Sequence, residues 1–156
     1  MTQKRIMVDM SATLLHHGHV KLLKKASELG YVVVGLTTDD EIRNKKGYEP
    51  ELSFEERKEL LEAIRYVDEV VPSPWLLDND YLNEHNIDLL VHGDDNVNHV
   101  PAEKVVIFPR TEGISSSDLR ERVLDTLTSL NLNGKGPSEK IALMLIETIK
   151  KEFKLD

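Results

Sequence analysis

The chain has 156 residues, enough for one domain of ordinary size that buries a core without covalent staples. Its 20 basic and 28 acidic residues give a formal charge of -8, which opposes non-specific binding to nucleic acid or to an anionic membrane, so an anionic ligand must be held by a focused site. With no cysteine, disulfides, thiolate metal sites and cysteine nucleophiles are excluded, a reducing cytoplasm is the expected compartment, and no apolar run has the length of a signal-peptide core or a membrane span.

KRIMVDM is the first expected strand, and HVKLLKKASELG the helix after it. Leu22, Leu23, Ala26 and Leu29 share one face of that helix, Lys21, Lys24, Lys25 and Glu28 lie largely on the other, and Gly30 is its expected stop. YVVVGLTT is the second strand. The helix SFEERKELLEAIRYV follows, with Leu60, Leu61 and Ile64 apolar and a capping box from Ser53 to Glu56. DEVVP, a helix around DYLNEHN, then IDLLVHGDD and KVVIFP continue the alternation, and SDLRERV is again helical. Short Val/Ile/Leu runs separated by amphipathic helices are the pattern of a parallel sheet covered on both faces. The expected fold is therefore α/β, a Rossmann-like doubly wound parallel sheet. NLNGKGPSEK is the one strong break, and KIALMLIETIKKEFKLD after it suits an amphipathic helix, so residues 1–130 form the expected α/β domain and 131–156 a linker with an appended C-terminal helix.

LLHHGHV places His16, His17 and His19 around Gly18 at the junction of the first strand with the first helix. In a doubly wound sheet ligands sit at the carboxyl ends of the strands, where loops lead into helix N-termini. Gly18 permits close backbone approach, and the N–H groups of a helix start favour an anion, so imidazoles beside them suit a phosphate. His16 and His19 also have the i, i+3 spacing of metal ligands, but no third ligand is close in sequence, and the plainest alternative is histidines that hold no ligand.

HHGH matches the HxGH signature, and RTEGISSS at 110–117 the RTxGIS signature, of the cytidylyltransferases of the nucleotidyltransferase α/β-phosphodiesterase superfamily. With IRYVDEVVP and VHGDD between them in the same order, the chain resembles that family from about residue 4 to about residue 125, in particular its bacterial glycerol-3-phosphate branch and the modules that accompany phosphonate pathways. The resemblance implies transfer of CMP from CTP to a small phosphorylated alcohol or a phosphonate, with release of pyrophosphate. It implies that His16 and His19 contact the α- and β-phosphates, and that Arg110 and the hydroxyls of Ser115, Ser116 and Ser117 hold the β- and γ-phosphates, with Met10, Ser11, Gly18, Thr111, Gly113 and Ile114 completing the nucleotide site. Asp94 and Asp95 would lie near base and ribose, although Asp-Asp before Asn also reads as a turn. Lys45 or Lys46, together with Arg65, would bring in the acceptor and help catalysis; as bare residues the lysines read first as a solvated loop, and Arg65 also as a complement to a helix dipole. His92 and His99 are read as structural or peripheral. Mg2+ is implied as the companion of CTP, with no ligand assigned, and a homodimer is implied by the family and by the apolar face of residues 141–149.

Departures from the glycerol-3-phosphate pattern all fall where ligands would bind. Asn96 stands where that branch has an aromatic residue, Ser11-Ala12-Thr13 replaces its Thr-Phe-Asp, the acceptor loop RNKKGYEPELS is spaced differently, and the segment after VHGDD is shorter. Two alternatives follow: an adenylyltransferase of the same superfamily, of the FAD synthase type, and a non-catalytic nucleotide-binding module.

Overall fold

The structure is a computed structural model and describes residues 3–95, 97–128 and 136–153. It divides into two compact units, Met1–Glu112 and Gly113–Asp156, each treated by itself below. The expected boundary at 130/131 lies in the stretch 129–135, outside the described residues.

The first unit carries β1 (Arg5–Met10), α1 (His17–Ser27), β2 (Tyr31–Thr37), α2 (Asp39–Lys46), α3 (Phe54–Glu62), β3 (Glu69–Ser73), α4 (Asn79–Glu84), β4 (Leu89–His92) and β5 (Val105–Ile107). All strand pairs are parallel, in the order β3-β2-β1-β4-β5. The chain thus leaves β1 in one direction through β2 and β3, then returns to its other side with β4, so the sheet reverses between β1 and β4. That reversal opens a crevice at the carboxyl ends of these two strands.

The near-continuous apolar strands are explained by burial on both sides. Ile6, Val8, Val32, Val34, Leu36 and Val91 pack with Leu23 and Ala26 of α1 and Leu61 of α3 on one face. Met7, Val33 and Leu90 pack with Leu77, Leu82 and Ile87 on the other. Leu29 departs from the expected stripe and is exposed, because α1 ends at Ser27 and its cap at Glu28.

Gly30 has a different role from the expected one. Its backbone is not left-handed; instead an added Cβ would sit 2.2 Å from the Lys4 carbonyl oxygen, the atom that accepts from Tyr31 N at 2.8 Å. Close approach of the chain to the start of β1 requires the glycine. The Ser53 capping box is present as expected: Ser53 Oγ accepts from Glu56 N, and the Glu56 carboxylate accepts from Ser53 N at 2.8 Å.

The second unit holds α5 (Ser116–Thr128) and α6 (Pro137–Glu152), which pack on each other. Lys150 pairs with Asp125 at 2.8 Å, and Arg120 lies over the Phe153 ring. Among the described residues no helix is long and apolar enough to cross a membrane.

Candidate active site

The loop after β1 ends in an unusual helix cap. His16 is the N-cap of α1, and its Nδ1 accepts from Gly18 N at 3.1 Å, while Nδ1 of His19 accepts from His16 N at 3.2 Å. The two imidazoles reproduce the reciprocal capping normally made by a hydroxyl and a carboxylate. Because both Nδ1 atoms accept, each neutral ring carries its proton on Nε2, so each presents a donor there. The rings lie 3.9 Å apart. The pKa of His19 is lowered to about 3, first by burial, then by the charges of His16, Arg110 and Lys46, against the backbone hydrogen bond that raises it. Arg110 and Lys46 thus act electrostatically on His19, beyond the end of β1.

Lys45 and Lys46 are not in a loop, as expected, but in the last turn of α2. Thr38 caps this helix by accepting from Glu41 N, Asp39, Asp40 and Glu41 occupy its first turn, and Gly47 ends it in the left-handed region at φ 77°. These are strong start and stop signals, with charges that complement the helix dipole at both ends. The Lys46 ammonium lies 5.5 Å from the centre of the Trp75 ring.

Arg65 is set apart from this cluster. It lies in the turn between α3 and β3, at the amino end of the sheet, exposed and stacked on Tyr66. Within one chain the parallel sheet separates it from the carboxyl ends where His16 and Lys46 sit, so the expected acceptor role of Arg65 has no geometric support there.

After β4 the chain turns through Gly93, Asp94 and Asp95. Asp95 pairs with Arg110 at 3.3 Å and approaches His92 Nδ1 at 3.7 Å. A Cβ on Gly93 would press against Asp95 Oδ1 at 2.9 Å and Arg110 Cγ at 3.4 Å, so this glycine makes room for the pair. Asp94 is exposed and lines a pocket of about 370 Å³ with Val100, Ala102, Val105 and Ile107. An apolar wall with one carboxylate can take a planar base with an exocyclic amino group. The expectation about Asn96 falls on a residue outside those described.

The RTEGISSS stretch straddles the two units. Arg110 and Thr111 belong to the first. In the second, Gly113 is left-handed at φ 70° and its carbonyl accepts from Arg122 at 2.7 Å, Ile114 is buried, and Ser115 Oγ accepts from Asp118 N at 3.0 Å as a cap for α5. Ser116 and Ser117 open that helix. Met10 closes β1 and is buried, and Ser11 Oγ reaches Thr37 Oγ1 at 3.5 Å.

Two residues not singled out in the sequence, Arg57 and Asp9, tie this region together, the second with His92, which the sequence alone reads as structural or peripheral. Arg57 is fully buried and donates to the Ser11, Thr37 and Leu52 carbonyls and to Asp39 Oδ1, tying the loop after β1 to both ends of the α2–α3 segment. Asp9 and His92, side by side on β1 and β4, are 3.4 Å apart. Burial opposes the charge on His92, but the hydrogen bond and charge of Asp9, the Gly93 carbonyl and Asp95 outweigh it and raise its pKa. A charged residue inside an apolar strand, as in RIMVDM, was the available signal for Asp9. Among the described residues no group of three or more His, Cys, Asp or Glu side chains is arranged to hold a metal ion.

Residues 13–122 match the family model described as cytidylyltransferase-like. The chain is 42% identical over 128 residues to glycerol-3-phosphate cytidylyltransferase of Bacillus subtilis (strain 168), covering 77% of this chain and 97% of that protein. It is 36% identical over 132 residues to the ethanolamine-phosphate cytidylyltransferase of Mus musculus, covering 77% of this chain but 32% of that one. A solved lipopolysaccharide core biosynthesis protein from Thermoplasma volcanium GSS1 shares the fold, with a TM-score of 0.60 and 22% identity over 70% of this chain and 99% of its own.

Proposed function

The chain belongs to the cytidylyltransferase-like family, and from that premise we propose that it transfers CMP from CTP to the phosphate or phosphonate oxygen of a small acceptor, releasing pyrophosphate. The observation that carries this reading is the double imidazole cap, which aims two Nε2 donors from the end of β1, with Arg110 and Lys46 acting electrostatically on His19.

The acceptor oxygen attacks the α-phosphorus of CTP, and the bond from that phosphorus to the bridging oxygen of pyrophosphate breaks. A phosphate monoester, with a second pKa of about 6, is largely dianionic at neutral pH, so the oxygen needs no general base. What it needs is positioning and charge stabilisation. His16 and His19 donate to oxygens of the α- and β-phosphates, where negative charge grows as pyrophosphate departs. Arg110 exchanges Asp95 for the triphosphate, Lys45 and Lys46 draw in the acceptor dianion, and Ser115 to Ser117 at the start of α5 serve the β- and γ-phosphates. Asp94 accepts from the amino group of the base. Mg2+ would accompany CTP; with no cluster of three or more His, Cys, Asp or Glu ligands among the described residues, the ion would rest mainly on the substrate's phosphates, where it would supply charge neutralisation. The enzyme acts in the cytoplasm as a homodimer.

Stabilisation of the protein by a panel of nucleotides tests the choice of base. CTP should raise the melting temperature and ATP should not. Stabilisation by ATP alone would mean an adenylyltransferase, and binding with no pyrophosphate release would mean a non-catalytic module.

A further inference from the structure

His92 closes β4 with oxygen acceptors against both of its ring nitrogens. Nδ1 lies 3.1 Å from the Gly93 carbonyl oxygen and 3.7 Å from Asp95 Oδ1, and Nε2 lies 3.4 Å from Asp9 Oδ2. A neutral imidazole has one N–H and would turn a lone pair toward oxygen on one side, whereas the imidazolium meets both sides with donors. Burial disfavours the charge on this ring, and Asp9 from the neighbouring β1, the Gly93 carbonyl and Asp95 from the turn after β4 outweigh it. Asn98 donates to Asp9 at 2.9 Å as a neutral group, and β5 supplies the apolar Ile107 as the register partner of His92.

Asp95 has a second cation. Its Oδ2 lies 3.3 Å from Arg110 Nη1 while its Oδ1 faces His92, so one carboxylate bridges guanidinium and imidazole through different oxygens. Gly93 gives the bridge room, since a Cβ there would sit 2.9 Å from Asp95 Oδ1 and 3.4 Å from Arg110 Cγ. The His92 side chain is 19% exposed and that of Arg110 65%, so Arg110 can turn to a ligand in solvent while His92 stays in the sheet. Once Arg110 turns, a neutral His92 would leave Asp9 and Asp95 as two carboxylates with no cation among these four groups. Two negative charges flanking an imidazole favour its charged form.

We propose that Asp95 is a shared counter-ion: when Arg110 turns from it to the triphosphate, Asp95 passes to His92, which holds a proton taken from solvent for as long as the triphosphate is bound. His92 is thus a positioning residue that acts on the nucleotide through Asp95 and Arg110 and touches no phosphate itself. The proposal rests on the cytidylyl-transfer reading above, in which Arg110 serves the triphosphate. The step exchanges one ion pair and forms one N–H bond with a solvent proton; departure of pyrophosphate restores the Arg110–Asp95 pair and releases the proton. By reciprocity, the factor by which the triphosphate tightens the hold of His92 on its proton is the factor by which the protonated protein tightens its hold on the triphosphate.

The test is a histidine-resolved NMR titration of the full chain, alone, with saturating CTP and with saturating inorganic tripolyphosphate, in the native sequence and in Asp95→Asn, a substitution on the exposed turn. The His92 midpoint should rise by at least about half a pH unit with either ligand, roughly a threefold gain in proton affinity. Asp95→Asn keeps Arg110 and should still bind tripolyphosphate, but its His92 midpoint should start lower and rise by less than about 0.2. A bound ligand that leaves the His92 midpoint in place, or that moves it equally in Asp95→Asn, overturns the proposal. The second result is what the field of the triphosphate alone would give. Pyrophosphate release with CTP and the acceptors is followed in parallel. A His92 rise with tripolyphosphate and no binding of CTP, or with CTP and no release, contradicts cytidylyl transfer and leaves the shared counter-ion standing. Release with an unmoved His92 does the reverse, and binding of neither ligand overturns both.

Discussion

At the scale of single residues, the proposed function asks the two histidines to serve structure through Nδ1 and chemistry through Nε2. Nδ1 of each is committed to the backbone, so replacing His16 with alanine removes a helix cap along with the proposed phosphate donor. His16→Ala should lower kcat by about 10²–10³, the usual effect of losing one preorganised donor, and should also lower the melting temperature by a few degrees through the lost cap. The titrations of His19 and His92 have opposite signs. The unfolded His19 imidazole takes its proton near the ordinary value of 6.5 and the folded one only at about 3, so folding loses free energy as pH falls through that window. His92, with its raised folded pKa, stabilises the fold fully below the unfolded value and loses that contribution as pH rises through the folded one. A histidine-resolved proton NMR titration should find His19 neutral at pH 5 and His92 still partly protonated above pH 6.5. The His19 midpoint should rise when a triphosphate binds, because nearby negative charge favours the imidazolium.

At the scale of elements, Arg57 and Gly30 set how the site is held. Arg57 joins four segments by donating to three carbonyls and to Asp39, whose other carboxylate oxygen accepts from Phe54 N at 3.0 Å. Arg57→Ala leaves those acceptors buried without their donor, and should cost roughly 3–5 kcal/mol in denaturant unfolding. Gly30→Ala drives a methyl into the Lys4 carbonyl and should cost about 1–3 kcal/mol as the chain shifts to accept it. Neither effect can be read from the local sequence, because each depends on a partner far along the chain. What was legible was periodic or local. The Val/Ile/Leu strands, the α1 stripe through Leu23 and Ala26, and the Ser53–Glu56 box all follow from spacing alone. α2 was equally legible in TTDDEIRNKKG, with its cap, acidic start, basic end and terminal glycine, but its mean apolar content is low and the periodic signal rests on Ile42 alone. The Asp9–His92 pair needed the register of β1 against β4, which no spacing reveals.

At the scale of the whole molecule, the sheet order brings two motifs distant in sequence to the carboxyl ends of neighbouring strands. HHGH follows β1 and HGDD follows β4, and these strands are neighbours across the reversal point. The α6 helix exposes Ile141, Met144, Leu145 and Ile149, spaced to form one stripe. In the proposed homodimer this stripe would be the association surface. Multi-angle light scattering should therefore give a mass near twice 17.8 kDa at micromolar concentration, and Met144→Glu with Leu145→Lys should shift it to the monomer. The measurement that reaches the central claim is pyrophosphate release with CTP and with ATP, each tested against O-phosphoethanolamine, 2-aminoethylphosphonate, glycerol 3-phosphate, phosphocholine and FMN. CTP-dependent release with a small phosphate or phosphonate acceptor, abolished in His19→Ala, is the predicted result. Release with ATP alone, or none with any pair in protein that still binds nucleotide, would contradict it.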